Sequence, residues 1–321
     1  MNIKTLITSV VVFTACTAAG AQAWPNRPIT LIIPAAPGTA ADMLGRKVGS
    51  QLSSDFGQPV VIDNKVGAGG TIAYDHVARQ KPDGYTLTIA VGGLAIAPTI
   101  YNGLRFDPTH DFTPIAQLAL TPMIFVTRPE SPLHGLQDLV SAAKKEPDRL
   151  MYGSFGSGST SHLVGESFKR VAGVQLTHVP YKSGVAAVPD VVSGQLDVAI
   201  IDPVAALSLI KAGRLKALGV ASPTRLSVLP EVQTTAEAGV PFSAVGWVGL
   251  FGPAGLPKDI ASKVNSSVNT TMASLAMREW LAGSGSVAVE PALSSDQWRQ
   301  RFDSYVQSWT LIAREARMKV E

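Results

Sequence analysis

An α/β protein of two doubly wound lobes is what this amino-acid sequence predicts, and three observations carry the prediction. Apolar strands and amphipathic helices alternate over short connections along most of the 321 residues, the order that parallel sheets with right-handed crossovers require. Hydrophobic residues make up 46% of the chain and charged residues only 16%, as expected where strands are buried on both faces. Two distant segments also share one build, in which an apolar strand enters a loop of Gly, Ser, Thr and Pro and a helix opens directly from that loop.

The first 23 residues read as a cleaved export signal. Lys4 supplies a positive charge, residues 5–18 form a short apolar stretch, and Ala21-Gln22-Ala23 makes an Ala-x-Ala exit before Trp24. Cleavage after Ala23 is expected to give an exported chain. Phe13-Thr14-Ala15-Cys16 faintly resembles a lipoprotein box, with Phe where Leu is usual. The Ala-x-Ala cut removes Cys16, the one cysteine of the sequence, and with it any disulfide, thiolate zinc site or thiol nucleophile.

From there the elements follow in turn. A strand over 29–34 runs into the loop 35–42 and a helix over 40–52. A strand over 59–63, the glycines 67–70, a helix over 72–80, the turn 81–84 and a strand over 85–91 complete the first set. The second set reads as strand 123–126, helix 136–145, strand 150–155, the loop 156–162, helix 160–171, strand 177–181, helix 185–193, strand 197–202, helix 205–212 and strand 215–221. A strand over 245–251 and helices over 258–275 and 296–317 close the chain. The last helix carries Trp298, Phe302, Tyr305, Trp309 and Ile312 at three- and four-residue spacings, a stripe that should pack on a lobe. Residues 24–122 are expected to form the first lobe, 123–238 the second, and 239–321 to return to the first, with crossings near 120–123 and 233–245.

The two strand–loop–helix segments carry the chemistry. A helix starting after small residues leaves its first N–H groups unpaired at the positive end of its dipole. Gly38, Thr39, Ala40, Ala41 and Asp42 in one loop, and Ser154, Phe155, Gly156, Ser157, Gly158, Ser159 and Thr160 in the other, can hold an anion without a basic side chain. Facing each other, they would grip a carboxylate. His162 either caps its loop or donates to a ligand, and Asp42 either caps its helix or receives a water. Asp202, at a strand end, either meets an ammonium or ring N–H of a solute or ties down a loop. Lys182 either answers a second carboxylate or stays solvated. His76, His110, His134 and His178 are scattered and read as surface or packing residues.

No Gly-x-Ser-x-Gly, His-Glu-x-x-His, Gly-x-x-x-x-Gly-Lys or Gly-x-Gly-x-x-Gly stands in the sequence, so neither catalysis nor a metal or cofactor is expected. With 27 basic against 24 acidic residues there is no electrostatic footprint for nucleic acid or an anionic membrane.

The chain resembles the Bug family, the extracytoplasmic solute receptors of tripartite tricarboxylate transporters. The resemblance runs through Trp24-Pro25-Asn26-Arg27-Pro28-Ile29, Gly57-Gln58-Pro59-Val60-Val61 with Asn64, Gly67-Ala68-Gly69-Gly70 and Pro82-Asp83-Gly84-Tyr85-Thr86-Leu87. It continues in Asp107-Pro108, Ser157-Gly158 with His162-Leu163, His178-Val179-Pro180-Tyr181-Lys182, Gly194-Gln195-Leu196-Asp197 and Ala212-Gly213-Arg214-Leu215. It implies a type II-like periplasmic binding protein, monomeric, closing a cleft between its lobes on a small carboxylic-acid solute. Its partners would be the membrane permease subunits of the transporter or, alternatively, a sensor histidine kinase. In the family the first loop and the Ser/Gly loop hold a carboxylate through backbone N–H groups and bridging waters, with Tyr181 nearby.

Three departures from the family pattern bear on the solute. Pro37-Gly38-Thr39-Ala40-Ala41-Asp42 stands where Pro-Gly-Gly-Pro-x-Asp is usual, so Thr39 restricts φ and adds a hydroxyl. Gly93-Leu94-Ala95-Ile96-Ala97 replaces a Thr-His-Ala-x-Asn stretch, which makes the edge formed by Gly93 and Leu94 more apolar and favours a solute with an apolar or aromatic end. Phe155 replaces a small residue and either stacks on a ring or fills the hinge side.

Overall fold

The computed structural model describes residues 24–242 and 244–318; the expected export signal and Cys16 lie outside them. In the first stretch β1 (Ile29–Ile33), α1 (Ala40–Phe56), β2 (Val60–Asn64), α2 (Thr71–Ala78), β3 (Thr86–Val91), α3 (Gly93–Ile100) and β4 (Phe112–Thr121) follow in turn. After Pro122 come β5 (Met123–Thr127), α4 (Leu136–Lys145), β6 (Met151–Ser154), α5 (Thr160–Ala172), β7 (Thr177–Pro180), α6 (Gly184–Ser193), β8 (Val198–Ile201), α7 (Pro203–Lys211) and β9 (Lys216–Ala221). The chain then gives β10 (Gly246–Pro253), α8 (Lys258–Ala273), α9 (Leu275–Ser284), β11 (Val287–Ala288) and α10 (Ser295–Glu315).

These strands build two sheets, one ordered β11-β4-β10-β3-β1-β2 and the other β7-β6-β8-β5-β9. β1 lies inside its sheet, between β3 and β2, and is apolar but for Thr30: Leu31 and Ile33 join Leu44, Val48 and Leu52 of α1, while Ile32 joins Tyr74 and Val77 of α2. It pairs in parallel with β2 and β3, and β6 pairs in parallel with β7 and β8.

The sheets are mixed rather than wholly parallel. β5 runs antiparallel to β8 and β9, and β10 antiparallel to β3 and β4. Both are strands that arrive from the opposite sheet. No crossover helix precedes either, so nothing sets them parallel to their new neighbours.

The sequence reading assigned no element between 92 and 122, where α3 and β4 stand. Pro98 inside α3 and Pro114 inside β4 argue against a helix and a strand respectively. β4 accommodates its proline at an irregularity, where the register against β10 shifts between Leu250 and Phe251 and Pro114 lies opposite Phe251. The helix expected over 258–275 is α8, and α9 follows it where the sequence reading had no element: Ser274 ends α8 and its side chain caps α9 by accepting from the Met277 N–H.

The aromatic stripe of α10 packs as its spacing requires. Trp247 of β10 lies 5.5 Å from Trp298 edge-on and 5.7 Å from Tyr305 in a stack, and Phe251 lies 4.9 Å from Phe302. The helix starts in a full capping box between Ser294 and Gln297. Its far end reaches the other sheet's layer, where Glu315 pairs with Arg170 of α5 at 3.3 Å.

Candidate functional site

The first loop leaves β1 through Pro34 and turns at Gly38, whose φ of +84° suits glycine. Thr39 then caps α1: its hydroxyl accepts from the Asp42 N–H and donates to the Ala36 carbonyl. Asp42 faces inward from the first turn. Its carboxylate accepts from the Gly38 N–H at 3.0 Å, from Arg46 and from Asn64. Burial pushes its pKa up, but the bonds from Arg46, Asn64 and Gly38 outweigh that and hold it below the usual carboxylate range. The N–H groups of Ala40 and Ala41 have no acceptor among the described residues.

The second loop repeats the arrangement. Ser159 caps α5 by accepting from the His162 N–H, and Ser161 accepts from the Phe155 N–H. The N–H groups of Ser157, Thr160 and Ser161 have no acceptor among the described residues. His162 supports the loop from behind, its Nδ1 accepting from the Gly158 N–H at 3.1 Å. An acceptor ring nitrogen must be unprotonated, and burial, with Lys169 adding to it, lowers the pKa of His162 to about 4. The ring stacks on His178 at 4.0 Å and 9°. Burial, and after it His162, lowers His178 to about 3 against the opposing pull of Glu166. His178 reaches Ser154 at 2.6 Å, and Ser154 in turn accepts from the Gly156 N–H.

The loops face each other across a cavity of about 550 Å³. Thr39, Ala40 and Ala41 line one side and Ser157, Ser159 and Thr160 the other. The strands that cross between the sheets contribute Thr121, Met123 and Val248, while Phe155, Tyr181, Lys182 and Asp202 close the remaining wall. Tyr101, at the end of α3, donates to the Ser157 carbonyl at 2.7 Å and so joins the two sides directly. Gly158 permits that approach: a Cβ there would stand 2.4 Å from Ile100 and 2.9 Å from Tyr101.

Ten of the seventeen residues read from the sequence as site residues line this cavity: Thr39, Ala40, Ala41, Phe155, Gly156, Ser157, Ser159, Thr160, Tyr181 and Asp202. The other seven stand behind it. Gly38 and Gly158 spend their N–H groups on Asp42 and His162, so these four brace the loops, and Ser154 is buried beneath Gly156. Gly93 opens α3 and packs so closely on the Gly69 carbonyl that a Cβ would sit 2.3 Å from it, while Leu94 is in the core.

Phe155 faces the cavity, and its ring lies against Gly184 at the start of α6. Tyr181 lines the wall with its hydroxyl committed to Asp190 at 2.6 Å. Asp202 caps α7, one oxygen accepting from the Ala205 N–H at 3.2 Å. Burial raises its pKa to about 6 against the backbone bonds that favour the charge.

The wall formed by Val66, Gly67, Ala68, Gly69 and Gly70 was legible only as a glycine-rich connection, and Tyr101 carried no sequence signal. Among the described residues no group of His, Cys, Asp or Glu is placed to hold a metal, and no helix is long and apolar enough to cross a membrane.

The family model described as "Tripartite tricarboxylate transporter family receptor" matches residues 44–316. The chain is 32% identical to the protein BugT of Bordetella pertussis over 328 aligned positions that span 100% of both chains. Among solved structures it is similar to Rpa4515 of R. palustris with adipate, at 32% identity and a TM-score of 0.86 over 92% of this chain and 100% of that one. It is also similar to MatC of Rhodopseudomonas palustris with bound malate, at 31% identity and a TM-score of 0.84 over 90% and 99%.

Proposed function

The chain belongs to the Bug receptors of the tripartite tricarboxylate transporter family, solute-binding proteins rather than enzymes, and from that premise we propose that it captures a small carboxylate-bearing solute in the cavity between its two sheets. The observation that carries the reading is the convergence of the unpaired N–H groups of Ala40, Ala41, Ser157 and Thr160 from two opposed helix starts. Such groups at dipole N-termini favour an anion strongly where no water competes. Adipate and malate, bound in two relatives, are acids of the size such a cavity takes. The receptor works in the periplasm after cleavage at Ala23 and delivers its solute to the membrane subunits of a tripartite tricarboxylate transporter.

The test removes donors while keeping the helices. Ala40 and Thr160 occupy the first helical position, where proline is tolerated because its missing N–H has no helical partner. The preceding residues, Thr39 (φ −78°, ψ 163°) and Ser159 (φ −79°, ψ 166°), already hold the extended conformation that a following proline demands. A thermal-shift screen of small carboxylic acids identifies a ligand, since one at 100 times its Kd adds about 2.7 kcal/mol. Ala40→Pro and Thr160→Pro should each weaken that ligand roughly tenfold or more, the value of a charge-assisted hydrogen bond. Unchanged affinity in both variants would refute the site.

A further inference from the structure

Among the described residues, two charged ones line the cavity, Lys182 and Asp202, and they are placed differently. Lys182 is exposed, whereas Asp202 retains 3% of its accessible surface. Asp202 forms no ion pair among the described residues, and the donors that meet its carboxylate are backbone N–H groups at the start of α7, that of Ala205 bonding Oδ1 at 3.2 Å. It lines the cavity with no cation and no side-chain donor against it among the described residues. A carboxylate this buried is costly unless a donor or cation meets it. The neighbouring hydroxyl that could have done so, on Tyr181, is turned to Asp190. The rest of this wall is largely apolar, with Phe155, Met123 and Val248.

We propose that Asp202 receives a positively charged or N–H group at the end of the solute opposite its carboxylate, so that the preferred class is amino- or N-heterocyclic carboxylic acids rather than plain dicarboxylates. The inference rests on the reading that the two loops hold a carboxylate. One end of the solute then meets helix N-termini and the other a lone acid, and the cavity is polarised along its length. A second carboxylate on the solute would be driven against Asp202 and repelled.

Calorimetric titration of the mature protein with two matched pairs tests this: 4-aminobenzoate against benzoate, and 4-aminobutyrate against glutarate. The wild type should bind the nitrogen-bearing member of each pair at least tenfold tighter, the value of a hydrogen bond to a charged partner. Asp202→Asn keeps the volume and the helix cap, so it should fold normally. It should lose the preference, binding the two members of each pair with similar affinity. Asp202→Ser, also a capping residue, provides a second variant should the first melt early.

Equal or tighter binding of benzoate and glutarate by the wild type, or a preference that survives in both variants, overturns the assignment of Asp202 and leaves the carboxylate reading standing. Failure of every acid to bind the wild type, in this set and in the wider thermal-shift screen, overturns both.

Discussion

Acidification should destabilise this protein through His162, and the size of the effect follows from the geometry. The imidazole is neutral because it is buried beneath the Ser/Gly loop, with Lys169 nearby and a second ring, His178, stacked 4.0 Å away. Glu166, whose carboxylate stands 3.9 Å from Nε2, is the one group that favours a proton there, and it is engaged by the Tyr152 hydroxyl and by Lys169. In the unfolded chain His162 takes its proton at the ordinary value of 6.5, while in the fold it does so only at about 4.

Between those two values the unfolded chain binds more protons than the folded one, so stability rises with pH across the window. The contribution is complete above 6.5 and lost as the pH falls to 4. At about 1.4 kcal/mol per unit the difference amounts to about 3 kcal/mol. Protonation also ends the ability of Nδ1 to accept from Gly158, so the loop loses its brace as the stability goes. Urea denaturation at intervals from pH 7.5 to 4.5, on the wild type and on His162→Asn, measures it. The wild type should lose stability steadily below 6.5 and the variant should show a shallower slope. Parallel slopes, or a His162 resonance that titrates near 6.5, would refute the reasoning.

Two further outcomes follow from packing and from the cleft. Tyr101→Phe deletes the hydrogen bond to the Ser157 carbonyl. At about 1 kcal/mol the solute should bind roughly fivefold more weakly, chiefly by leaving faster in stopped-flow measurements. An unchanged dissociation rate would mean that this bond does not hold the sides together. Trp298→Ala removes a fully buried ring that packs edge-on against Trp247 and Phe251 and should cost about 3–5 kcal/mol in urea unfolding, with Trp298→Phe costing distinctly less.

The architecture was legible because its signals are local. Gly-rich connections and alternating apolar runs mark strands and helices wherever crossovers are regular, and the stripe on α10 announces its own packing. Antiparallel insertion of β5 and β10 was not legible, since strand direction depends on which sheet receives the strand. Pro98 and Pro114 hid α3 and β4. The two loops proposed to hold the solute's carboxylate were readable from their small residues alone. Which N–H groups remain available was not, because Asp42 and His162 occupy those of Gly38 and Gly158 from four residues downstream in folded geometry. Tyr101 enters the site through an approach between distant segments that no sequence spacing encodes.

Main-chain donors at the start of α1 and α5 make the acid grip indifferent to nearly every codon change, since only proline deletes an amide hydrogen. Gene duplicates could therefore exchange Phe155, Tyr181 or Asp202 and acquire new nutrients without rebuilding the grip. The variation that separates one paralogue's diet from another's should accumulate on that far wall.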